Sequence, residues 1–126
     1  MTQEEKQLLL RDLCARLPYK PHIRIKDGKV DLDVDAVLNG TYIHDWITLP
    51  SCQNVTITPY LRPMSSMTEE EAKEFAMLQT DFYSDGWLYP IAAVNMVDWL
   101  KAHHFDFRGL IPMGLALEAP EGMYEF

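Results

Sequence analysis

Residues 22–38 read HIRIKDGKVDLDVDAVL, and no other run constrains the fold as tightly. Ile23 and Ile25, then Val30, Leu32 and Val34, alternate with charged residues, which is the period of a strand with one buried face. Asp27-Gly28 stands between the two halves and favours the tight turn of a hairpin. The pattern predicts an antiparallel pair whose apolar face needs a cover.

The residues before it supply one. Thr2 and Glu5 have capping-box spacing, in which the hydroxyl and the carboxylate each take a free amide at a helix start. Leu9, Leu10, Leu13, Cys14 and Leu17 then form a wide apolar stripe that Pro18 and Pro21 end. Such a short helix is marginal alone in water, so its stripe must pack on the sheet. Cys14 is expected to be a small buried hydrophobe.

Further along, Asn39-Gly40 marks a second turn, TYIHDWITL (41–49) reads as a third strand, and NVTIT (54–58) as a fourth that runs into Pro59. Thr68 and Glu71 repeat the capping box and predict a helix to about Leu78, with Ala72, Phe75, Ala76 and Leu78 inward. A loop follows, QTDFYSDGWLYP. Pro90 opens a third helix with Ile91, Val94, Val97 and Leu100 on one face. The tail carries Pro and Gly enough for one helical turn and then extended chain. The expected architecture is α+β: an N-terminal helix, a small antiparallel sheet or SH3-like half-barrel, and a C-terminal helical unit with an irregular tail. At 126 residues this is one compact domain, 1–126, divisible at the Pro59–Pro63 corner into a helix-plus-sheet part (1–63) and a helical part (64–126).

Charge narrows the function classes. Nineteen acids stand against 11 bases, a net charge of −8, so direct binding to nucleic acid or an anionic membrane is not expected and a basic protein partner is. No run approaches the roughly 20 apolar residues of a membrane span. The first residues lack the basic-then-apolar order of a secretion signal, which leads us to expect a cytoplasmic protein. Two cysteines, Cys14 and Cys52, form no C-x-x-C pair, and no glycine-rich phosphate loop occurs, so no cofactor and no metal are expected.

Four constellations remain. Asp31, Asp33 and Asp35 resemble the start of a calcium loop, but Ala36 and Tyr42 stand where that loop needs Gly and Glu. On a strand the three aspartates share one face, an acidic surface suited to a basic partner. Glu69, Glu70, Glu71 and Glu74 crowd a helix start, where acids complement the positive helix end. Tyr83, Trp87 and Tyr89, with Phe82, give an aromatic stretch of the kind enriched at protein interfaces. His103, His104, Asp106 and Arg108 look most like chemistry, yet adjacent histidines point about 100° apart on a helix and converge only if it ends between them. A buried Asp106–Arg108 or His–Asp network tying the tail to the helix is the expected role. The rival is a small enzyme or metal-binding protein that uses His103, His104 and Asp106, with His44 and Asp45.

Three segments, LCARLPY (13–19), PYLRPMSSMTEEE (59–71) and DWLKAHHFDFRGLIPMGLALEAP (98–120), resemble a family of small uncharacterised proteins of gut Bacteroidetes and of their phages and prophages. The resemblance implies a mobile-element context and no particular chemistry. The leading expectation is therefore a non-enzymatic acidic interaction protein, an accessory factor of a mobile element that binds a host or phage protein. A self-associating homodimer is the third class.

Overall fold

The computed structural model describes residues 2–27, 30–35, 55–84 and 89–124. The expected strand at 41–49, His44, Asp45, Cys52 and Trp87 lie outside them. Helix α1 spans Gln3–Arg16 and its capping box forms, with Thr2 N–H donating to Glu5 and Glu5 N–H to the Thr2 hydroxyl. Strands β1 (His22–Asp27) and β2 (Val30–Asp35) pair antiparallel as a hairpin, Ile25 opposite Leu32 and Asp27 opposite Val30, so Asp27 closes β1 where the turn was expected to begin. Strand β3 (Val55–Leu61) pairs antiparallel with the other edge of β1, Ile25 opposite Ile57. It carries Pro59 within it and so runs longer than NVTIT.

Two residues of the tail, β4 (Leu117–Glu118), add to β3 in parallel. The sheet order is therefore β2-β1-β3-β4, antiparallel except at its last pair. A parallel pair needs a long crossover, and the helical half of the chain is that crossover.

Helix α2 (Glu69–Ser84) and helix α3 (Tyr89–Ala102) form it. α2 continues six residues beyond the expected end at Leu78, so both ends of the aromatic stretch are helical. Its more buried stripe is Glu71, Phe75, Leu78 and Gln79, while Ala72 and Ala76 are exposed. α3 is also rotated from expectation: Ala92 and Leu100 are buried with Met96 and Trp99 half-buried, while Ile91 and Val94 are each 57% exposed. Phe75 stacks on Trp99 across the two helices with ring centroids 5.5 Å apart, which fixes which faces meet.

The core shows why α1 packs as it does. Leu9 and Leu13 meet Ile23, Ile57 and Leu61 of the sheet and Leu110, Leu115 and Ala116 of the tail, so both halves of the sequence share one apolar cluster. Cys14 is exposed, contrary to expectation, because the face one step further round carries Asp12 and Arg16 inward instead. That pair is buried almost completely, with Arg16 Nε 2.7 Å from Asp12 Oδ2 and Arg16 Nη2 donating to Phe105 O at 2.8 Å. Among the described residues no helix is long and apolar enough to cross a membrane.

Candidate functional site

The helix that leads to the two histidines ends at Ala102, and its ending decides where they go. His104 N–H reaches Lys101 O (3.0 Å) and Phe105 N–H reaches Leu100 O (2.9 Å), the paired closure of a helix with a left-handed residue after its cap. That residue is His104, with φ of +62°, a position usually held by glycine. The backbone turn sends the two rings apart. His103 stacks on Trp99 at 4.2 Å, and His104, buried, stacks on Tyr124 at 3.7 Å.

Burial holds the His104 imidazole down to about 4, and the positive charges of Arg16, His22, Arg62 and His103 push the same way. The imidazole is thus neutral at physiological pH. Asp106 is buried, and its two oxygens accept from Leu110 N–H (2.8 Å) and Ile111 N–H (2.9 Å), capping the turn that carries the tail back to the core. Arg108 reaches Asp12 at 3.3 Å and lies over Phe107. The tail is indeed tied down by this cluster, but through Asp106 to backbone amides and Arg108 to α1, where a direct Asp106–Arg108 or His–Asp bond was expected. Among the described residues no group of three or more His, Cys, Asp or Glu side chains could hold a metal.

The other sequence candidates are dispersed. Asp31 lies on β2 with its carboxylate bridged by both nitrogens of Arg24 at 2.6 and 2.8 Å, which lowers its pKa. Asp33 and Asp35 stand opposite Arg24 and His22 in the strand register. Tyr83 falls in the last turn of α2 and Tyr89 opens α3.

A cleft of about 770 Å³ lies elsewhere, between the start of α2, the end of α3 and the tail after β4. On the α2 side Arg62 and Glu71 form a two-toothed pair, 2.6 and 2.7 Å, and the guanidinium rests 4.3 Å from the Phe105 ring centroid. Glu71 also closes the Thr68 capping box. The hydrogen bonds from Arg62 hold its carboxyl at about 2 against the opposing effect of burial, with the Thr68 amide adding to them. The cation of the cleft is therefore neutralised within the cleft.

Four further carboxylates line it, Glu70, Glu74, Glu118 and Glu121. Glu74 accepts from the Trp99 indole N–H at 3.0 Å, and all four are exposed. His103 lines the same cleft and holds its Nδ1 2.9 Å from Trp99 O.

The opposite wall is the tail. Ala119 N–H donates to Leu61 O at 2.8 Å, and five residues later Tyr124 Oη donates to Tyr60 O at 2.7 Å while accepting from His22 N–H at 2.8 Å. No family model, no curated protein and no solved structure matches this chain.

Sequence reasoning found Glu70, Glu71 and Glu74 as a cluster but assigned them only to the helix end. It missed Glu118 and Glu121, which stand some fifty residues further along the chain. Their approach depends on the parallel β3–β4 pair, and the only local signal for that pair was the short apolar run before the final Pro.

Proposed function

We propose that this is a non-enzymatic interaction protein whose acidic cleft takes a basic segment of a partner protein. The observation that carries the proposal is the charge of the cleft: Glu70, Glu74, Glu118 and Glu121 surround it, while Arg62 is already paired with Glu71. A guanidinium or ammonium entering there finds acceptors on both walls, and the opposite polarity of ligand is repelled. The four exposed carboxylates steer association and make it sensitive to salt. Supporting this reading over the enzymatic rival, His104 stacks on Tyr124 and the Asp106 carboxylate is held by backbone amides, leaving His103 as the member of that trio that lines the cleft. The resemblance to proteins of gut Bacteroidetes and their phages supports a mobile-element accessory role, with a host or phage protein as partner.

The test is amide chemical-shift mapping with hexa-arginine and hexa-lysine peptides, and a hexa-glutamine peptide as control. The basic peptides are expected to move amides of residues 62–74 and 118–124 and to leave β1 and β2 unmoved. Shifts confined to the Asp31–Asp35 strand would place the basic partner on the sheet instead.

A second reading, self-association, rests on Ile91 and Val94, exposed one turn apart on α3, with Met77 exposed on α2. Light scattering should then give a dimer mass that falls to the monomer value in Ile91→Ser/Val94→Ser.

A further inference from the structure

Between Ala119 and Tyr124 the chain is a strap across one side of the cleft. It is fastened to the sheet at its two ends. Ala119 N–H bonds Leu61 O, and the Tyr124 side chain makes the far attachment. In between, Met123 N–H closes a turn onto Pro120 O at 3.1 Å, with Gly122 at φ of +82°, and Glu121 and Gly122 are exposed. Pro120 is exposed with them and Met123 is half-buried, so the strap's position leans on its two ends.

The Tyr124 attachment is unusually complete. The hydroxyl both donates, to Tyr60 O, and accepts, from His22 N–H, which bridges β3 and β1 across adjacent strands. One face of the ring lies on His104 at 3.7 Å and 10°, and its edge meets the His22 ring at 5.0 Å. The left-handed backbone of His104 places that ring under Tyr124. A glycine would hold the backbone turn with less strain but would leave the tyrosine nothing to lie on.

We propose that Tyr124 is a positioning residue, the pin of a strap that completes the binding cleft, so that closure of the strap and occupation of the cleft favour each other. The proposal rests on the cleft being the binding site, because the strap brings Glu121 and the backbone of Pro120 and Gly122 to its wall. With the pin released, the mouth loses one of its walls and two of its acidic groups change relative position. A ligand that touches both walls binds only the closed form, and by linkage it holds the strap shut.

The strap carries its own reporter, since a glutamate-specific protease cuts after Glu118 or Glu121 faster when that segment opens. Cleavage at these two bonds, followed by mass spectrometry on the intact folded chain, measures opening without any ligand. Tyr124→Phe removes both hydroxyl hydrogen bonds and keeps the stack, and cleavage should quicken about tenfold, the effect of roughly one to two such bonds. Tyr124→Ala removes the stack as well, and cleavage should quicken by about a hundredfold or more.

Hexa-arginine should slow cleavage of the wild type and should bind Tyr124→Ala at least about tenfold more weakly, with Tyr124→Phe close to wild type because its strap is still mostly closed. Circular dichroism and the unfolding midpoint establish that each variant is folded. Equal cleavage rates in all three proteins would overturn the pin. Faster cleavage of Tyr124→Ala with unchanged hexa-arginine affinity would overturn the strap's part in binding. Failure of the wild type to bind hexa-arginine would overturn the cleft reading and the strap's part in it, while the cleavage comparison still decides whether Tyr124 is the pin.

Discussion

Arg16→Met is expected to destabilise the protein by about 3–5 kcal/mol in urea unfolding, the range for breaking a buried ion pair by removing one partner. Asp12 is only 1% exposed and would be left with Arg108, 3.3 Å away and itself 35% exposed, as its remaining cation. Phe105 O would lose the Arg16 Nη2 donor in the same step, an additional penalty for a buried carbonyl.

The double variant Asp12→Leu/Arg16→Met is expected to recover most of that loss, because an apolar pair of similar volume needs no compensation for buried charge. The contrast between single and double variants identifies the origin of the effect. A loss below about 1 kcal/mol in the single variant would show that the pair behaves like an exposed one. Arg16 Nη1 is buried and has no hydrogen-bond partner among the described residues, a penalty that the double variant removes.

Acid should lower the stability of the protein across two adjoining pH windows. His104 has its imidazole at about 4 in the fold against an ordinary 6.5, so between those values the unfolded chain binds more protons than the folded one. Stability is fully present above pH 6.5 and falls as pH drops toward 4, by about 3 kcal/mol over the window at 1.36 kcal/mol per unit. Glu71, held at about 2 against 4.5 by Arg62, adds a second, smaller loss from pH 4.5 down to 2, reduced by solvent screening of the part-buried pair. His104→Asn, which tolerates the left-handed backbone and does not titrate, should flatten the curve between pH 6.5 and 4 while leaving the lower loss. A curve for His104→Asn that keeps the upper slope would assign that slope to another group.

What the sequence made legible was local. Both capping boxes, the antiparallel pairing of β1 with β2, and the helix starts follow from residues within a few positions of one another. The apolar faces of α2 and α3 were displaced because periodicity alone cannot say which of two neighbouring stripes meets the partner. Phe75 and Trp99 decide it through their stack.

The charged interior of α1 was hidden for a similar reason. An Asp and an Arg four residues apart look like a surface pair, and their burial is explained by distant partners, Phe105 O for Arg16, 89 residues away, and Arg108 for Asp12. The histidine pair was nearer to legible. A helix end beside them was expected as the condition for their convergence, yet the left-handed turn at His104 sends the rings apart, and Tyr124 as the partner of His104 was not visible in the sequence. The cleft itself joins Glu70 to Glu121 through a parallel strand pair, and no local pattern announces such a pairing.

Calorimetric titration of hexa-arginine into the wild type and into Glu70→Gln/Glu118→Gln/Glu121→Gln tests the acidic cleft most directly. All three side chains are exposed, so the variant should fold as the wild type does. The wild type should bind with an affinity that weakens steeply as salt rises, and the triple variant should bind about tenfold more weakly at low salt with a shallower salt dependence. Equal affinities and equal salt dependence in the two proteins would contradict the cleft as the site of binding.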